Sequence, residues 1–367
     1  MKLGIDVRSM REQAGIGNYT KGFLHGLTKI KNDQNQYLLY FDQNPDVVNT
    51  IQRLSLPQDR FILKNFIGNE IIWYLKVWYD LKKEKIDYLY STNSTLFSFF
   101  LGIKTILTVH DLSAIIFPKL HTLKVRILAG KFFLTYACRK AKFIFVDSNA
   151  TKNDLETIIP VSKGKITVNY CGLSDDQKYK DNENRFTDYN FPYILYLGTI
   201  EPRKNLVRLI EAYDLLNQRD NTIPKLVIAG NKGWFYEEVY QKVAELGLQG
   251  KVIFTGFVND TEKDFLFKKS LIFVFPSIYE GFGLPVAEAM KKGIPVLTSN
   301  ISSLPEIVGK DYPFLVNPED VLDIKDKLER LLRLTPKEKE KIVLENKQKA
   351  SRFTWGRNAE KWLKIVS

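Results

Sequence analysis

Two glutamates flank a glycine-rich turn in the second half of the chain. Glu280 precedes and Glu288 follows the run Gly-Phe-Gly-Leu-Pro, after an apolar stretch that ends at Pro276. The glycines let the backbone approach a ligand closely, and Pro285 suits the first turn of a helix, whose N–H groups attract phosphate. Ionised carboxylates repel phosphate but accept hydrogen bonds from two hydroxyl groups at once. The pattern indicates a site for a sugar linked to phosphate, although Glu288, expected in the first helical turn, would also complement the helix dipole.

A pair of basic residues follows another apolar stretch. Gly198 comes directly after the stretch Tyr193–Leu197. Arg203 and Lys204 then precede Asn205, a residue type that caps helix N-termini. A planar guanidinium, a compact ammonium and the N–H groups of a helix start together favour an anion. The alternative is a solvated surface pair, but the place at the end of a strand favours the anion site.

The first half of the chain carries weaker signals. Gly15 and Gly17 follow the apolar stretch Leu3–Val7. Thr20 stands where the third glycine of a dinucleotide fingerprint belongs, which disfavours an NAD-dependent oxidoreductase. The two glycines therefore indicate either a flexible loop or a close approach to a ligand. His110, one of three histidines, follows another apolar stretch and suits either a structural or a ligand-binding role.

These residues lie at the ends of short apolar stretches that alternate with amphipathic helical patterns. The alternation predicts βαβ units and mainly parallel sheets covered by helices on both faces. Ligands of such sheets bind beyond the carboxyl ends of the strands. The predicted strands are Leu3–Val7, Tyr37–Phe41, Phe61–Lys64, Tyr88–Tyr90, Thr105–Val109, Phe143–Val146, Ile166–Asn169, Tyr193–Leu197, Lys225–Ala229, Val252–Thr255, Leu271–Phe275 and Pro295–Thr298. The predicted helices are Gly17–Ile30, Glu70–Lys85, Leu120–Lys142, Ala150–Ile159, Leu206–Asn217, Tyr236–Leu246, Asp260–Lys269 and Val286–Lys292, with a charged helical tail over Asp320–Ala350.

The polar stretch Asp175–Asn190 interrupts this alternation and is typical of a linker. We expect a first Rossmann-like domain over residues 1–178, a linker over 179–191 and a second Rossmann-like domain over 192–352. The amphipathic end of the chain, residues 353–367, is expected to pack back on the first domain. A cleft between the two domains would then be the natural ligand site.

Composition fits a globular protein and excludes some classes. Of 367 residues, 44% are hydrophobic and 26% are charged. No apolar run approaches the roughly 20 residues that span a bilayer. Asp6 stands where a signal peptide would be apolar, and the two cysteines, Cys138 and Cys171, make neither a disulfide framework nor a metal site. We therefore expect a reduced, cytoplasmic protein.

Several motifs together resemble one enzyme family. They are Glu280–Glu288 with its internal Gly-Phe-Gly-Leu-Pro, Gly198 with Arg203-Lys204-Asn205-Leu206, Val109-His110-Asp111, Ser148-Asn149-Ala150-Thr151, and the turn from Asn169 to Gly172. In this order they resemble the retaining GT-B glycosyltransferases of family 4 over essentially the whole chain. The resemblance implies an α/β protein with two Rossmann-like domains, whose parallel sheets face each other across a cleft. It also implies that the second domain holds a nucleotide-sugar donor and the first domain holds the acceptor.

The resemblance implies a role for each residue of the predicted site. Arg203 and Lys204 would grip the donor diphosphate, and Glu280 would bind hydroxyls of the donor sugar. His110 would contact that sugar and steady the charge that develops at its anomeric carbon. These four residues are the expected catalytic set. The ribose would be bound by Glu288, and the base would be read by the turn at Phe257 and Val258. The full expected donor-binding set is Gly15, Gly17, Gly198, Arg203, Lys204, Phe257, Val258, Glu280, Phe282, Gly283, Leu284 and Glu288.

The same resemblance implies a donor and an acceptor. His110-Asp111-Leu112 with Phe117-Pro118 is similar to a branch rich in mannosyl- and rhamnosyltransferases, which favours GDP-mannose over a UDP- or dTDP-sugar. No Asp-x-Asp triplet occurs, so we expect no metal ion and no other cofactor. The expected acceptor is a saccharide or a lipid-linked oligosaccharide in surface polysaccharide synthesis of the O-antigen kind. Retention is expected through a front-face mechanism. A sugar-nucleotide epimerase is the alternative within this fold.

The positive charge lies in the first half of the chain. The net charge is +12, with 26 Lys and Arg against 16 Asp and Glu in residues 1–180, and 28 against 26 in residues 181–367. The stretches Trp73–Lys85 and Lys119–Lys142 combine basic residues with aromatic and aliphatic ones, as helices on anionic lipid do. We expect peripheral binding to the inner face of the cytoplasmic membrane, although both stretches also suit helices that cover a sheet. A nucleic-acid-binding protein is disfavoured by the near-neutral second half and the absence of a helix-turn-helix pattern.

Overall fold

The computed structural model describes residues 1–12, 15–31, 33–92, 95–100, 102–121, 123–174 and 184–367. The chain forms two compact units. The first comprises Met1–Ser174 with Phe353–Ser367, and the second comprises Asp175–Arg352. Each unit is built on one sheet in which every described strand pairing is parallel. The predicted α/β class with two parallel sheets is confirmed.

The sheet of the first unit has seven strands, which are β1 (Lys2–Asp6), β2 (Gln36–Phe41), β3 (Phe61–Asn65), β4 (Tyr88–Ser91), β5 (Thr105–Val109), β6 (Phe143–Val146) and β7 (Ile166–Val168). Their order is β3-β2-β1-β4-β5-β6-β7. Ile5 on β1 pairs with Leu39 on one side and Tyr90 on the other, and all three are fully buried. Such continuous burial is typical of parallel strands that are covered on both faces.

The helices of the first unit are α1 (Ile16–Lys29), α2 (Pro45–Arg53), α3 (Glu70–Lys83), α4 (Ser113–Ile116), α5 (Leu123–Leu128), α6 (Lys131–Lys140), α7 (Asn149–Ile158) and, from the end of the chain, α15 (Trp355–Val366). Trp362 on α15 is fully buried, and its ring centroid lies 5.1 Å from that of Phe23 on α1. A Cβ at Gly22 would lie 1.9 Å from the ring of Trp355. Glycine on α1 therefore allows α15 to pack closely against this unit.

The sheet of the second unit has six strands, which are β8 (Tyr193–Leu197), β9 (Lys225–Ala229), β10 (Val252–Gly256), β11 (Ile272–Phe275), β12 (Val296–Ser299) and β13 (Leu315–Val316). Their order is β10-β9-β8-β11-β12-β13. The strand order reverses direction between β8 and β11, and it does so between β1 and β4 in the first unit. Parallel sheets bind ligands at such switch points, beyond the carboxyl ends of the strands.

The helices of the second unit are α8 (Leu206–Arg219), α9 (Glu237–Glu245), α10 (Asp260–Lys269), α11 (Leu284–Lys291), α12 (Leu304–Val308), α13 (Val321–Leu332) and α14 (Pro336–Ala350). Of the predicted linker, residues 179–183 lie outside the described residues. Directly after them, Phe186 is buried, and Arg185 Nε pairs with Glu262 Oε1 of α10 at 2.6 Å. The described end of the predicted linker is therefore part of the second unit.

The predicted single helix over Leu120–Lys142 is wrong. The segment contains α5 and α6, which are separated at Gly130, where a Cβ would lie 2.3 Å from the carbonyl oxygen of Arg126. The predicted elements also lack α2, α4, α12 and β13. Strand β13 has two residues, which is too short to show a periodicity in the sequence.

Candidate active site

The loops that follow β8 and β11 bring three of the predicted site residues into contact. Lys204 Nζ lies 2.6 Å from Glu280 Oε1, and Arg203 Nη1 lies 3.2 Å from Glu280 Oε2. Arg203 Nη1 also donates to the carbonyl oxygen of Tyr279 at 2.7 Å. Because β8 and β11 are neighbours at the switch point of the second sheet, these loops start side by side. The predicted cationic pair and one predicted carboxylate therefore meet at one place.

The contacts between these charges are buried, and a second carboxylate balances them. Arg203 Nη2 pairs with Glu201 Oε1 at 2.8 Å. The side chains of Glu201 and Glu280 are only 3% and 9% exposed, so the charges interact with each other more than with water. Two cations and two carboxylates make the group formally neutral. We call Glu201, Arg203, Lys204 and Glu280 the paired-charge cluster.

Burial and pairing shift the pKa values within the paired-charge cluster. Burial and the neighbouring guanidinium of Arg203 lower the pKa of the Lys204 ammonium, and the two carboxylates only partly oppose them. Burial acts to raise the pKa of Glu280, but Lys204 and Arg203 outweigh it and hold that pKa below its ordinary value. Glu280 is therefore ionised at neutral pH and accepts hydrogen bonds.

Serine side chains that sequence reasoning missed hold Glu280 in place. Ser277 Oγ lies 2.6 Å from Glu280 Oε1 and 3.0 Å from the carbonyl oxygen of Arg203. The Ser302 hydroxyl accepts from the backbone N–H of Glu280 at 3.1 Å and donates to its carbonyl oxygen at 2.7 Å. Ser303 Oγ lies 2.9 Å from the same carbonyl oxygen. Serines near strand ends are equally typical of ordinary turns, so the sequence carries little signal for this role.

Asn205 is the N-cap residue of α8, as predicted, but its side chain does not cap that helix. Asn205 adopts a left-handed conformation with φ of 61° before α8, and its side chain makes no capping hydrogen bond to that helix. Its amide group donates instead to the carbonyl oxygens of Pro276 at 3.1 Å and Pro318 at 2.6 Å. Asn205 therefore ties the loop after β8 to the loop after β11. Local capping rules do not reveal such a long-range contact.

The glycine-rich turn leads into a helix, as predicted. Gly283 precedes α11 with φ of 100°, and a Cβ at this position would lie 2.7 Å from Leu304 Cδ2. Backbone conformation and packing therefore both require glycine. Helix α11 begins at Leu284, whose N–H has no acceptor within the helix by geometry, and Phe282 is buried beside it. The predicted positions 282–284 thus offer backbone groups rather than polar side chains.

The other predicted donor-binding side chains lie outside the paired-charge cluster. Glu288 lies one turn into α11 rather than in its first turn, and it pairs with Lys263 Nζ of α10 at 3.2 Å. Phe257 is exposed and Val258 half-buried in the turn after β10. The guanidinium of Arg185 donates to the carbonyl oxygen of Phe257, so a residue of the predicted linker holds this turn.

The remaining predicted glycines differ in their surroundings. Gly17 lies where a Cβ would be 1.9 Å from the carbonyl oxygen of Glu12, so tight packing within the first unit explains it. Gly15 precedes α1 with φ of 48°, and no described heavy atom lies within 4 Å of its Cβ position. The carbonyl oxygen of Gly198, after β8, lies 2.0 Å from the Cβ position of Gly230, so two backbones touch there. Among these predicted glycines, Gly15 has the open surroundings expected of a glycine that faces a ligand.

In the first unit, His110 lies at the carboxyl end of β5. Its Nδ1 is 2.6 Å from Asp147 Oδ2, and its Nε2 is 2.7 Å from the carbonyl oxygen of Thr92. The ring meets that of Tyr19 edge-on, with 4.7 Å between centroids. Sequence reasoning missed Asp147, although its place directly after β6 was a signal of the same kind as that of His110.

Hydroxyl groups occupy the switch point of the first sheet. Ser9 Oγ lies 2.8 Å from Thr20 Oγ1 and 3.2 Å from Thr92 Oγ1, and all three side chains are buried. Thr20, which breaks the dinucleotide fingerprint, thus belongs to a buried hydrogen-bonded group. We call Ser9, Thr20 and Thr92 the hydroxyl cluster.

Neither a metal-binding group nor a membrane-spanning helix is found in the described part of the chain. Among the described residues, no three His, Cys, Asp or Glu side chains lie close enough together to hold a metal ion. None of the described helices combines the length and the apolar composition that crossing a bilayer requires.

Two known families match the chain. Residues 15–177 match Glycosyltransferase Family 4, and residues 177–350 match Glycosyl transferases group 1. The chain is 32% identical over 231 residues to the O-antigen chain mannosyltransferase B of Escherichia coli. This matched region covers 59% of this chain and 58% of that protein. It is also 42% identical over 149 residues to the serotype-specific mannosyltransferase WbdA of Escherichia coli. This matched region covers 39% of this chain and 18% of that protein. The chain thus spans less than two thirds of the length of either relative.

The fold is similar to that of a solved structure of another protein. Sucrose-phosphate synthase from Thermosynechococcus elongatus superposes with a TM-score of 0.76 at 16% identity, over 100% of this chain and 98% of that chain. At this identity the likeness concerns the fold alone. The two family matches meet at residue 177, and together they cover the part of the chain that contains the motifs described above. The chain therefore belongs to the glycosyltransferases of family 4, with a Glycosyl transferases group 1 domain in its second half.

Proposed function

We propose that the protein transfers a hexose from a nucleotide sugar to a saccharide or lipid-linked oligosaccharide, with GDP-mannose as the favoured donor. The observation that carries this proposal is the paired-charge cluster, which places Arg203, Lys204 and Glu280 at the switch point of the second sheet. Both Escherichia coli relatives are named as mannosyltransferases, which favours mannose, and the O-antigen name of the first favours surface polysaccharide synthesis.

The charges of glycosyl transfer match the groups in the cluster. When the bond between the anomeric carbon and the diphosphate oxygen breaks, negative charge grows on the diphosphate and positive charge on the sugar. Arg203, Lys204 and the N-terminus of α11 provide positive potential for the departing diphosphate. Glu280 accepts hydrogen bonds from sugar hydroxyls because the two cations keep it ionised.

The proposed reaction retains configuration and uses no metal ion. The acceptor hydroxyl attacks on the face from which the diphosphate leaves, and the departing phosphate oxygen takes its proton. One carbon–oxygen bond forms while another breaks, and the proton ends on the nucleoside diphosphate. The two cations neutralise the leaving group, which is the part a metal ion plays in other enzymes. Transfer that continues in the presence of a chelator supports this part of the proposal, and transfer abolished by the chelator and restored by a divalent cation contradicts it.

The carboxylates of the paired-charge cluster keep the cations ready for the donor. Buried cations without partners would be strongly destabilising, and Glu201 and Glu280 remove that penalty. They also hold the guanidinium and the ammonium in one geometry before the diphosphate arrives. Because little rearrangement is then needed on binding, the positive groups are preorganised for the leaving group.

A binding panel tests the donor. Melting temperature is measured with GDP-, UDP- and dTDP-sugars, and mass spectrometry then identifies any sugar transferred to an acceptor. We expect GDP-mannose to give the largest rise. Arg203→Ala removes contacts worth about 1.5–3 kcal/mol, so we expect donor binding to weaken roughly 10- to 150-fold.

Arg219→Ala, at the exposed far end of α8, is the matched control and keeps wild-type binding. A chain that no sugar nucleotide stabilises contradicts the proposal. Conversion of a UDP-sugar without any acceptor identifies the epimerase instead.

We also propose that the first unit binds an anionic membrane through α3. Ile67, Ile71, Leu75 and Tyr79 recur at every fourth position and are 60%, 73%, 61% and 68% exposed. This spacing places Ile71, Leu75 and Tyr79 along one face of the helix, and Ile67 lies just before its N-terminus. We call these four residues the α3 stripe. A contiguous exposed apolar surface of this kind marks an interaction site.

Lysines beside the α3 stripe favour anionic lipid as its partner. Lys82 and Lys83 lie in the last turn of α3, and Lys76 is exposed near its middle. Apolar side chains that enter the acyl boundary and lysines that contact headgroups together hold a helix on such a surface. One expected contributor is wrong: Trp73 is buried and donates to the carbonyl oxygen of Phe41 at 3.2 Å.

Liposome sedimentation tests the membrane proposal. We expect binding to phosphatidylglycerol vesicles, weaker binding to phosphatidylcholine vesicles, and at least about tenfold weaker binding after Ile71→Glu with Leu75→Glu, since each buried aliphatic side chain contributes about 1.5–3 kcal/mol. Leu344→Glu, on α14 and 68% exposed, is the matched control. Unchanged sedimentation of the double variant contradicts the proposal. Dimers that the double variant disrupts would show that a second copy, not lipid, covers the stripe.

A further inference from the structure

Three neighbouring strand ends of the first sheet meet at the ring of His110. Thr92 follows β4, His110 follows β5 and Asp147 follows β6. The ring nitrogens lie 2.6 Å from Asp147 Oδ2 and 2.7 Å from the carbonyl oxygen of Thr92. The side chains of His110 and Asp147 are 16% and 5% exposed. The ring therefore ties three strands together at the edge where such sheets bind ligands.

The two partners determine how many protons the ring carries. An ionised carboxylate and a backbone carbonyl oxygen accept hydrogen bonds and donate none. A neutral imidazole has one N–H and one nitrogen lone pair, so either tautomer would point a lone pair at an acceptor. Only the imidazolium donates from both nitrogens.

The groups around the ring are consistent with a positive charge there. Asp111 follows His110 directly, Glu12 faces it from the segment that leads into α1, and the Tyr19 ring on α1 packs against it with the two ring planes at 71°. Burial acts to lower the pKa of His110, but Asp147, the carbonyl oxygen of Thr92 and Asp111 outweigh it. The pKa of His110 therefore lies above its ordinary value.

Asp147 also interacts with neutral groups. Burial raises the pKa of the Cys171 thiol and that of the Tyr90 phenol, so neither carries a charge at neutral pH. Asp147 Oδ1 is buried, and the Cys171 thiol is a neutral group that contacts the carboxylate. His110 is thus the cation that compensates this buried carboxylate.

We propose that His110 is a fixed imidazolium, that Asp147 is the positioning residue that holds and charges it, and that His110 acts through its charge and transfers no proton. The effect on transfer rests on the proposed function, but the charge state does not. A fixed cation attracts the diphosphate of a nucleotide sugar and repels positive charge at an anomeric carbon. This role is the reverse of the one that the resemblance implies, because a fixed cation favours the negative charge of a leaving group.

Nitrogen NMR of the imidazole groups tests the charge state without substrate. The chain has three histidines, so His25→Gln and His121→Gln assign the signals of His110 by elimination. We expect both nitrogens of His110 to carry protons from pH 6 to pH 8. A His110 signal with one unprotonated nitrogen in this range overturns the proposal. Such a signal would show that the proton between His110 and Asp147 is on the carboxyl group of Asp147 or is absent.

Asp147→Asn tests the positioning role. The amide of the variant carries no negative charge, so the effect of burial dominates. We therefore expect His110 to lose its proton at a pH at least one unit lower than in the wild type, which is a tenfold higher proton concentration. Asp111→Asn is the matched control; its carboxylate already accepts from the N–H and hydroxyl of Ser113 at 2.8 and 2.6 Å, and a smaller change is expected. Equal changes in both variants overturn the assignment to Asp147. Circular dichroism checks that both variants fold.

Transfer rates as a function of pH separate charge from structure. In the wild type we expect kcat/KM to hold through pH 8, and in Asp147→Asn we expect it to fall at least tenfold between pH 5.5 and pH 8, because the imidazolium loses its proton within that range. If Asp147→Asn is equally slow at every pH, then Asp147 has only a structural role, and the proposed effect of the His110 charge on transfer is overturned. If no transfer is found with any donor, the proposed function fails while the NMR result still decides the charge state.

Discussion

The two switch points of this protein have the same place in their sheets but different chemistry. At β8 and β11 the loops carry four buried formal charges in direct contact. The switch point at β1 and β4 carries the hydroxyl cluster and an ion pair in which Arg8 Nη2 lies 3.0 Å from Asp6 Oδ2, while the pair between His110 and Asp147 spans the neighbouring strands. The comparison shows that equivalent places in two sheets of the same topology carry different chemistry, because the loop residues decide how much charge and how much neutral hydrogen bonding they contain.

This difference predicts unequal sensitivity to substitution. A neutral hydroxyl that loses a partner leaves one unsatisfied group, which costs about 1–3 kcal/mol. A buried ion that loses its partner leaves an uncompensated charge, which costs about 3–5 kcal/mol. The second unit is therefore the one whose site and stability depend most on each other.

The largest effect is expected from Glu280→Ala. It leaves Lys204 and Arg203 without their shared carboxylate, so we expect a loss of about 3–5 kcal/mol in unfolding free energy and the loss of transfer. Thr20→Val, in the hydroxyl cluster, should cost only about 1–3 kcal/mol. Scanning calorimetry of the two variants measures the difference. Equal destabilisation would remove the distinction between the two switch points.

Glycine replacements give a smaller effect, and they separate packing from ligand approach. Gly17→Ala forces a methyl group against the carbonyl oxygen of Glu12, so we expect a loss of about 1–3 kcal/mol. Gly15→Ala has open space but leaves alanine at φ of 48° and ψ of −110°, so we expect backbone strain of about 1–3 kcal/mol, and it raises KM for the donor if Gly15 faces it. Denaturant unfolding and donor titration of both variants check this pair. A more destabilised Gly15 variant would contradict the packing account.

The smallest effect is an opposite response to pH. The pKa of Glu280 is lowered from 4.5 in the fold, so its stabilisation is present above that value and is lost as pH falls through the folded-state pKa. The pKa of His110 is raised from 6.5, so its stabilisation is present below that value and is lost as pH rises through the folded-state pKa. A tenfold difference in proton affinity between the folded and unfolded states contributes about 1.4 kcal/mol to the unfolding free energy.

Hydrogen exchange read separately over the two units measures this response. Acid should loosen the loops after β8 and β11, and alkali should loosen the ends of β4, β5 and β6. Glu280→Gln and His110→Gln should each flatten the response of their own unit only. Loss of both responses in one variant would show that the two sites are not independent.

Patterns in the sequence predicted which residues lie at the candidate site better than they predicted the contacts that those residues make. Arg203, Lys204 and Glu280 were identifiable because each follows a buried strand, and parallel strands collect their carboxyl ends at one edge. Ser302 and Asn205 were not, because their contacts reach loops that are distant in sequence. Trp73 was misassigned because an aromatic residue on a helix fits the core and the membrane interface equally well in a single sequence.

The amino-acid sequence by itself determined the alternation of strands and helices, and with it two parallel sheets and the residues at their carboxyl ends. Hydrophobic periodicity is local, so it can be read along the chain. The tertiary structure alone decided the pairings: Glu280 meets Lys204, Glu288 meets Lys263, and His110 lies between two acceptors. Electrostatic energies depend on distance and burial, and neither is encoded in the separation of residues along a sequence.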